Sequence, residues 1–265
     1  MNDISLILEP PIARLRLDRP DRRNVLSRAM WGVLPVLCAE IAATPEALVV
    51  VLEGSGDHFC AGADIREFAA VYRDAQTIRD FNEAMQEGLK ALIALDRPTI
   101  AALRGNTLGA GIALALCCDL RFCAEDAFLA LPPAKLGILY GFVETRRLIQ
   151  AIGPSRAKDL LFSGRRVECA QALAIGLIDR LVAPDELEAT VLAYAGELAR
   201  LSQHSIRGGK NAIEAIAGGL TDESPAFRVM IERAGAGEDF AEGWSAFLEK
   251  RAPKFRFRGR LDRLD

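Results

Sequence analysis

The chemically suggestive stretches of this chain are ones whose side chains do little. Gly54-Ser55-Gly56-Asp57-His58-Phe59-Cys60-Ala61-Gly62-Ala63-Asp64-Ile65 leaves an apolar run at Ala47 to Leu52 and enters a predicted helix at Ile65 to Val71. Arg104-Gly105-Asn106-Thr107-Leu108-Gly109-Ala110-Gly111-Ile112-Ala113-Leu114 repeats the arrangement between an apolar run at Thr99 to Leu103 and a predicted small-residue helix at Leu108 to Cys117. Glycine and alanine let a ligand approach the main chain closely, and the first N–H groups of a helix have no intrahelical acceptor. Two such helix starts, each with roughly +0.5 charge, would stabilise a negative oxygen forming on a bound carbonyl without moving any side chain. The alternative is that each loop is only a tight turn, since neither matches G-x-G-x-x-G or the P-loop pattern.

Reactive side chains are scarce. His58 and His204 are the only histidines, which leaves no His-rich metal site and few members for a Ser-His-Asp arrangement. Cysteines at 38, 60, 117, 118, 123 and 169 include no C-x-x-C pair and lie mostly in apolar segments, as buried free thiols do. A net charge of -3 supplies no field to attract nucleic acid or anionic membrane. With no basic n-region, apolar h-region or membrane-length apolar run, the expectation is a cytoplasmic protein without nucleic-acid or membrane partners.

The 265 residues fit one large domain or a domain with a helical appendage, and 51% hydrophobic against 26% charged residues is the composition of a globular rather than a disordered chain. Ile4 to Leu8 and Ile12 to Leu17 alternate as a hairpin around Pro10-Pro11. Ser27 can cap a helix to about Ala43, with a break expected at Gly32 or Pro35. The runs at Ala47 to Leu52 and Thr99 to Leu103 suit strands buried on both faces; Leu120 to Cys123 and Ala127 to Leu131 suit shorter ones, stopped by Pro132-Pro133. Helical spacing marks Gln76 to Leu95 and then 143–151, 155–163, 168–175, 185–201, 205–217, 224–234 and 239–250, with Ser155 and Asp185 as caps. The expected class is α/β or α+β with a helical C-terminal third.

F-C-A-G-A-D-I at 59–65 and R-P-T-I-A-A-L-R-G-N-T-L-G-A-G at 97–111 together resemble the paired signatures of the enoyl-CoA hydratase/isomerase, or crotonase, family. Arg19-Pro20, Asn24-Val25-Leu26, Cys118-Asp119, Lys135-Leu136-Gly137 and Glu242-Gly243 with Ala246 to Arg251 follow in family order. The resemblance implies a ClpP/crotonase-like spiral of ββα repeats over 1–200 and a helical trimerisation region over 201–265, with trimers often paired into hexamers. It implies an acyl-CoA thioester as substrate, coenzyme A arriving as part of that substrate, and no separate cofactor or metal. It puts the oxyanion hole on the backbone N–H groups of Ala63 and Ala110, and substrate contacts at Leu26, Ala61, Gly62, Asp64, Ile65, Gly111 and Pro133. Phe247 and Lys250 fall where the family approaches the CoA adenine and phosphates.

The pattern departs from the family where protons move. Family hydratases carry two glutamates, one two residues past the G-G-G motif and one after the proline; this chain has Ala113 and Pro133 there, which transfer no protons. Tyr140 remains, either as a donor to a substrate carboxylate, as in methylmalonyl-CoA decarboxylase-like members, or as a wall-lining aromatic. Glu144 is either a displaced acid/base or a first-turn acid favoured by the helix dipole. His58 is expected on the loop surface, and Asp64 as a cap. The expected protein is a hydratase, isomerase or decarboxylase of non-standard chemistry; the alternative is a non-catalytic acyl-CoA binder.

Overall fold

A computed structural model describes residues 3–261; Met1 and Asn2, where a leader would begin, and the last four positions of the 201–265 region lie outside. Strands β1 (Ile4–Glu9) and β2 (Ile12–Leu17) form the expected hairpin. Helix α1 (Arg28–Ala43) follows, with the Ser27 hydroxyl accepting from Met30 N at 3.3 Å. No break occurs at Gly32 or Pro35: Pro35 costs one i→i−4 bond, but Met30, Trp31, Leu34, Cys38 and Ile41 are buried along one face and hold the helix together.

Strand β3 (Val49–Gly54) leads through the first glycine loop to a 3-10 turn at Ile65–Glu67, α2 (Phe68–Val71) and α3 (Ala75–Ile93). Strands β4 (Thr99–Leu103) and β5 (Asn106–Leu108) precede α4 (Ala110–Leu116). The helix expected from Leu108 therefore starts two residues later, because Thr107 pairs into a strand and Gly109, at φ 47°, turns the chain. Strands β6 (Leu120–Ala124) and β7 (Phe128–Ala130) come next; Pro133 then opens the short helix α5 (Pro133–Leu136) rather than merely ending a strand, its missing N–H being harmless at a first helical position.

Helix α6 (Phe142–Ser163) joins the two helices expected at 143–151 and 155–163 across a break at Gly153 (φ 77°, ψ 161°). Pro154 opens the second half, so Ser155 is not the cap. Strands β8 (Arg166–Val167) and β9 (Arg180–Val182) flank α7 (Cys169–Ile175), and α8 (Leu187–Arg200), α9 (Gln203–Ala217), α10 (Pro225–Gly235) and α11 (Glu238–Leu248) complete the chain. Glu186, not Asp185, occupies the N-cap of α8 and makes no side-chain cap bond.

The main sheet runs β1-β2-β3-β4-β6-β9, parallel from β2 onward, and a smaller sheet runs β5-β7-β8. Consecutive strands β4 and β5, then β6 and β7, go to different sheets, which is what a spiral of strand pairs and helices requires. Strand alternation splits the interior: Leu15, Val50, Leu52, Ala101 and Leu103 face the helices α1, α3, α4 and α6, while Val49, Val51, Ile100 and Ala102 face Leu187, Val191 and Ala195 of α8. Both faces are covered, so the central strands read as continuous apolar runs. The six cysteines are buried and unpaired.

Candidate active site

The first glycine loop is held by two isolated bridges, one to Leu26 and one to Thr107 of β5. Leu26 N donates to Gly62 O at 2.8 Å and Asp64 N to Leu26 O at 2.9 Å, a parallel bridge between Leu26 and Ala63. This pairing uses the groups flanking Ala63, so the N–H of Ala63 itself points to the opposite side of its strand. On that side lies the second loop: Cys60 N donates to Asn106 O at 3.0 Å and Leu108 N to Cys60 O at 2.9 Å. Gly62, at φ 102°, sits so close that a Cβ there would stand 3.2 Å from Leu108 O and 3.9 Å from Ala110 N. Ala110 is the first residue of α4, and the cap position before it is Gly109, which has no side chain to occupy the N–H groups. Gly111 abuts the Cys60 carbonyl, which any Cβ would strike.

A latch beneath holds this arrangement. Asn24, fully buried, donates through Nδ2 to Ser55 O at 2.9 Å and His58 O at 2.6 Å, while its Oδ1 accepts from Arg19 N at 2.8 Å. Buried Asp64 pairs with Arg19 at 3.0 Å and accepts from Arg66 N, capping the 3-10 turn as expected. His58 is not simply at the surface: it is half-buried, and its Nδ1 accepts from Asn106 N at 3.1 Å, tying one loop to the other.

The loops open into a cavity of about 160 Å³ lined by Ala61, Gly62, Ala63 and Ile65 from the first and Leu108, Gly109 and Ala110 from the second. Phe68, Tyr72, Phe81 and Met85, with Leu136, Ile138 and Leu139, make most of the remaining wall apolar. Pro133, Tyr140 and Glu144 complete it, and Glu144 is the only aspartate, glutamate, lysine, arginine or histidine in the lining. Its carboxylate is buried and its Oε2 accepts from Gln86 Nε2 at 2.8 Å. The Tyr140 hydroxyl donates to Gly109 O at 3.1 Å. Burial first, then the Glu144 carboxylate and Cys117, push the Tyr140 phenol well above its ordinary pKa, so it stays a neutral donor.

The cavity gathers Ala61, Gly62, Ala63, Ile65, Ala110, Pro133, Tyr140 and Glu144 of the sequence-predicted set. Leu26, Asp64 and Gly111 support it from behind without lining it. Phe247 instead lines a separate cavity of about 740 Å³ among the C-terminal helices with Trp244 and Phe240, and Lys250, at φ 54°, lies in the turn after α11 and lines neither. Phe81, Met85 and Gln86 of α3 also contribute, which their i, i+4, i+5 spacing does not show: it marks a helix face but not what that face meets. Among the described residues no cluster of three or more His, Cys, Asp or Glu is placed to hold a metal, and no helix is long and apolar enough to cross a membrane.

Three comparisons bear on this geometry. The chain is 35% identical over 246 residues to "Probable enoyl-CoA hydratase echA8" of Mycobacterium tuberculosis, covering 92% of this chain and 94% of that one. It is 34% identical over 257 residues to the crotonyl-CoA hydratase of Syntrophomonas wolfei, covering 96% and 97%. A solved enoyl-CoA hydratase/carnithine racemase structure from Magnetospirillum magneticum superimposes with a TM-score of 0.92 at 33% identity, covering 97% of this chain and 96% of that one. The family model described as enoyl-CoA hydratase/isomerase matches residues 9–258, and with these likenesses along nearly its whole length the chain belongs to that family and has the crotonase fold.

Proposed function

We propose that this protein binds an acyl-CoA thioester, holds the thioester oxygen between the N–H groups of Ala63 and Ala110, and moves a proton at the substrate α-carbon with Glu144. The observation that carries this is the placement of Glu144 as the single carboxylate in the lining of a cavity that also holds Ala63 and Ala110, with Gly62 packed close against Leu108 and Ala110. Withdrawal of an α-proton leaves negative charge on the thioester oxygen, and each backbone donor aimed at such an oxygen is worth about 10²–10³ in rate.

One carboxylate suits isomerisation better than hydration. In the proposed step Glu144 takes the Cα proton of a 3-enoyl thioester, the C–H electron pair delocalises onto the thioester oxygen, and the same proton returns at Cγ as the double bond moves to the 2-position. Hydration also needs a group to activate water, and positions 113 and 133 hold alanine and proline. Decarboxylation fits poorly, because a substrate carboxylate would enter a cavity with a buried glutamate and no cation to receive it.

A second reading, a non-catalytic acyl-CoA binder, draws on the same alanine and proline and on a Tyr140 hydroxyl already engaged with Gly109. Incubation with hexanoyl-CoA in heavy water separates the two. Deuterium at the α-carbon supports the enzyme, and bound but unlabelled hexanoyl-CoA supports the binder.

A further inference from the structure

We propose that Gln86 is a positioning residue for Glu144; the inference rests on the proton-carrying role of Glu144 proposed above. Gln86 lies half-buried on α3 and reaches α6 across two bonds. Its Nε2 donates to Glu144 Oε2 at 2.8 Å, and its Oε1 accepts from Val143 N at 3.4 Å. Val143 N belongs to the first turn of α6, where N–H groups lack an intrahelical acceptor. An amide has one accepting end and one donating end, so the bond to Val143 obliges the other end to present a donor to the carboxylate. Gln86 thus pins both the orientation of Glu144 and the helix turn that carries it.

Chemistry favours a neutral donor at this place. An arginine or lysine would stabilise the ionised carboxylate and weaken it as a base, whereas an amide fixes its direction with a smaller electrostatic effect. The remaining wall around Glu144 is consistent with that: Gly141 lies so near that a Cβ would press on the carboxylate, and Tyr140, on the approach to α6, and Cys117, just past α4, both feel its charge, with Arg147 of α6 beside Cys117. Burial keeps Tyr140 and Cys117 neutral. Gln86 also shares α3 with Phe81 and Met85, which line the acyl cavity, so one helix shapes the substrate space and aims the base.

Gln86→Met keeps the length and removes the donor; Gln86→Glu keeps the shape and sets a second carboxylate against the first. With 3-hexenoyl-CoA as the probe, Gln86→Met is expected to lower kcat about 10- to 100-fold, as small misplacements of a reacting group do, while KM stays within about twofold. Gln86→Glu is expected to move the acid limb of the kcat profile to higher pH, because two adjacent carboxylates retain a proton between them. Unchanged kcat and an unmoved limb, beside an inactive Glu144→Gln, overturn the positioning role and leave the Glu144 assignment standing. A Glu144→Gln enzyme of full activity removes that assignment and this inference with it. If Gln86→Met fails to fold in a thermal melt, the Gln86→Glu limb decides alone, and a limb that stays in place overturns the proposal.

Discussion

The Tyr140 hydroxyl donates to the carbonyl of Gly109, the residue immediately before Ala110, at 3.1 Å. The tyrosine therefore touches the peptide that leads into the proposed oxyanion hole. Tyr140→Phe removes one bond worth about 1 kcal/mol and loosens that peptide. The expected result is a fall in α-deuteration of hexanoyl-CoA of about tenfold or less, with the pH profile unmoved, because the phenol stays protonated. Abolished exchange, or a changed limb, would make Tyr140 the proton carrier instead.

Ala110→Pro tests the donor without touching a side chain of any reactivity. Ala110 is the first residue of α4, the helical position that accepts proline most readily. The variant should fold, bind hexanoyl-CoA, and exchange the α-proton about 10²–10³ times more slowly. Exchange at the native rate in a folded variant would mean that this N–H does not serve the thioester oxygen.

Met85 lines the cavity proposed to take the acyl chain, from a half-buried position on α3. Met85→Ala should cost about 2 kcal/mol, the lower end for this change. It should also raise kcat/KM for 3-decenoyl-CoA over 3-hexenoyl-CoA by about tenfold, in keeping with pocket discrimination per methylene. An unchanged ratio would place the acyl chain elsewhere.

Alkaline stability follows from the buried thiols. Burial pushes Cys38, Cys60 and Cys118 up to about 12, above the unfolded value near 8.5. A folded pKa above the unfolded one gives stability that is complete below about 8.5 and is lost as pH rises toward the folded value. Arg207, lowered to about 10 by burial, has the opposite sign but acts only near and above that pH. Thermal melts from pH 7 to 9.5 should show Tm falling, each thiol removing on the order of 1 kcal/mol of stability by pH 9.5. A flat Tm would mean the thiols are exposed to solvent in the folded state.

Much of the frame was legible because its signals are local. The hairpin at Ile4 to Leu17 and the strand at Thr99 to Leu103 follow from period-two and continuous apolar patterns, and both appear where expected. The glycine loops could be named because a helix start after a strand is visible in sequence. Strands β5, β8 and β9 are two or three residues long, too short to show a period. The pairing of Gln86 with Glu144 spans 58 residues and two helices. No spacing rule reaches that far, so the sequence marks α3 as a helix and not its contribution to the site. Phe247 and Lys250 were placed by resemblance alone, and within one chain they sit apart from the cavity around Ala63 and Ala110.

The bridge between Leu26 and Ala63 has a practical consequence for mutational surveys. The N–H that it turns toward the second loop belongs to the main chain of Ala63, and the residue opposite, Ala110, is alanine too. A survey that truncates each side chain to alanine would pass over both positions unchanged and report damage only at their neighbours, such as Gly62. The proposed backbone donors would be invisible to the commonest tool for finding them, and would be exposed by chemistry that edits the peptide unit, such as replacement of the Ala63 amide by an ester.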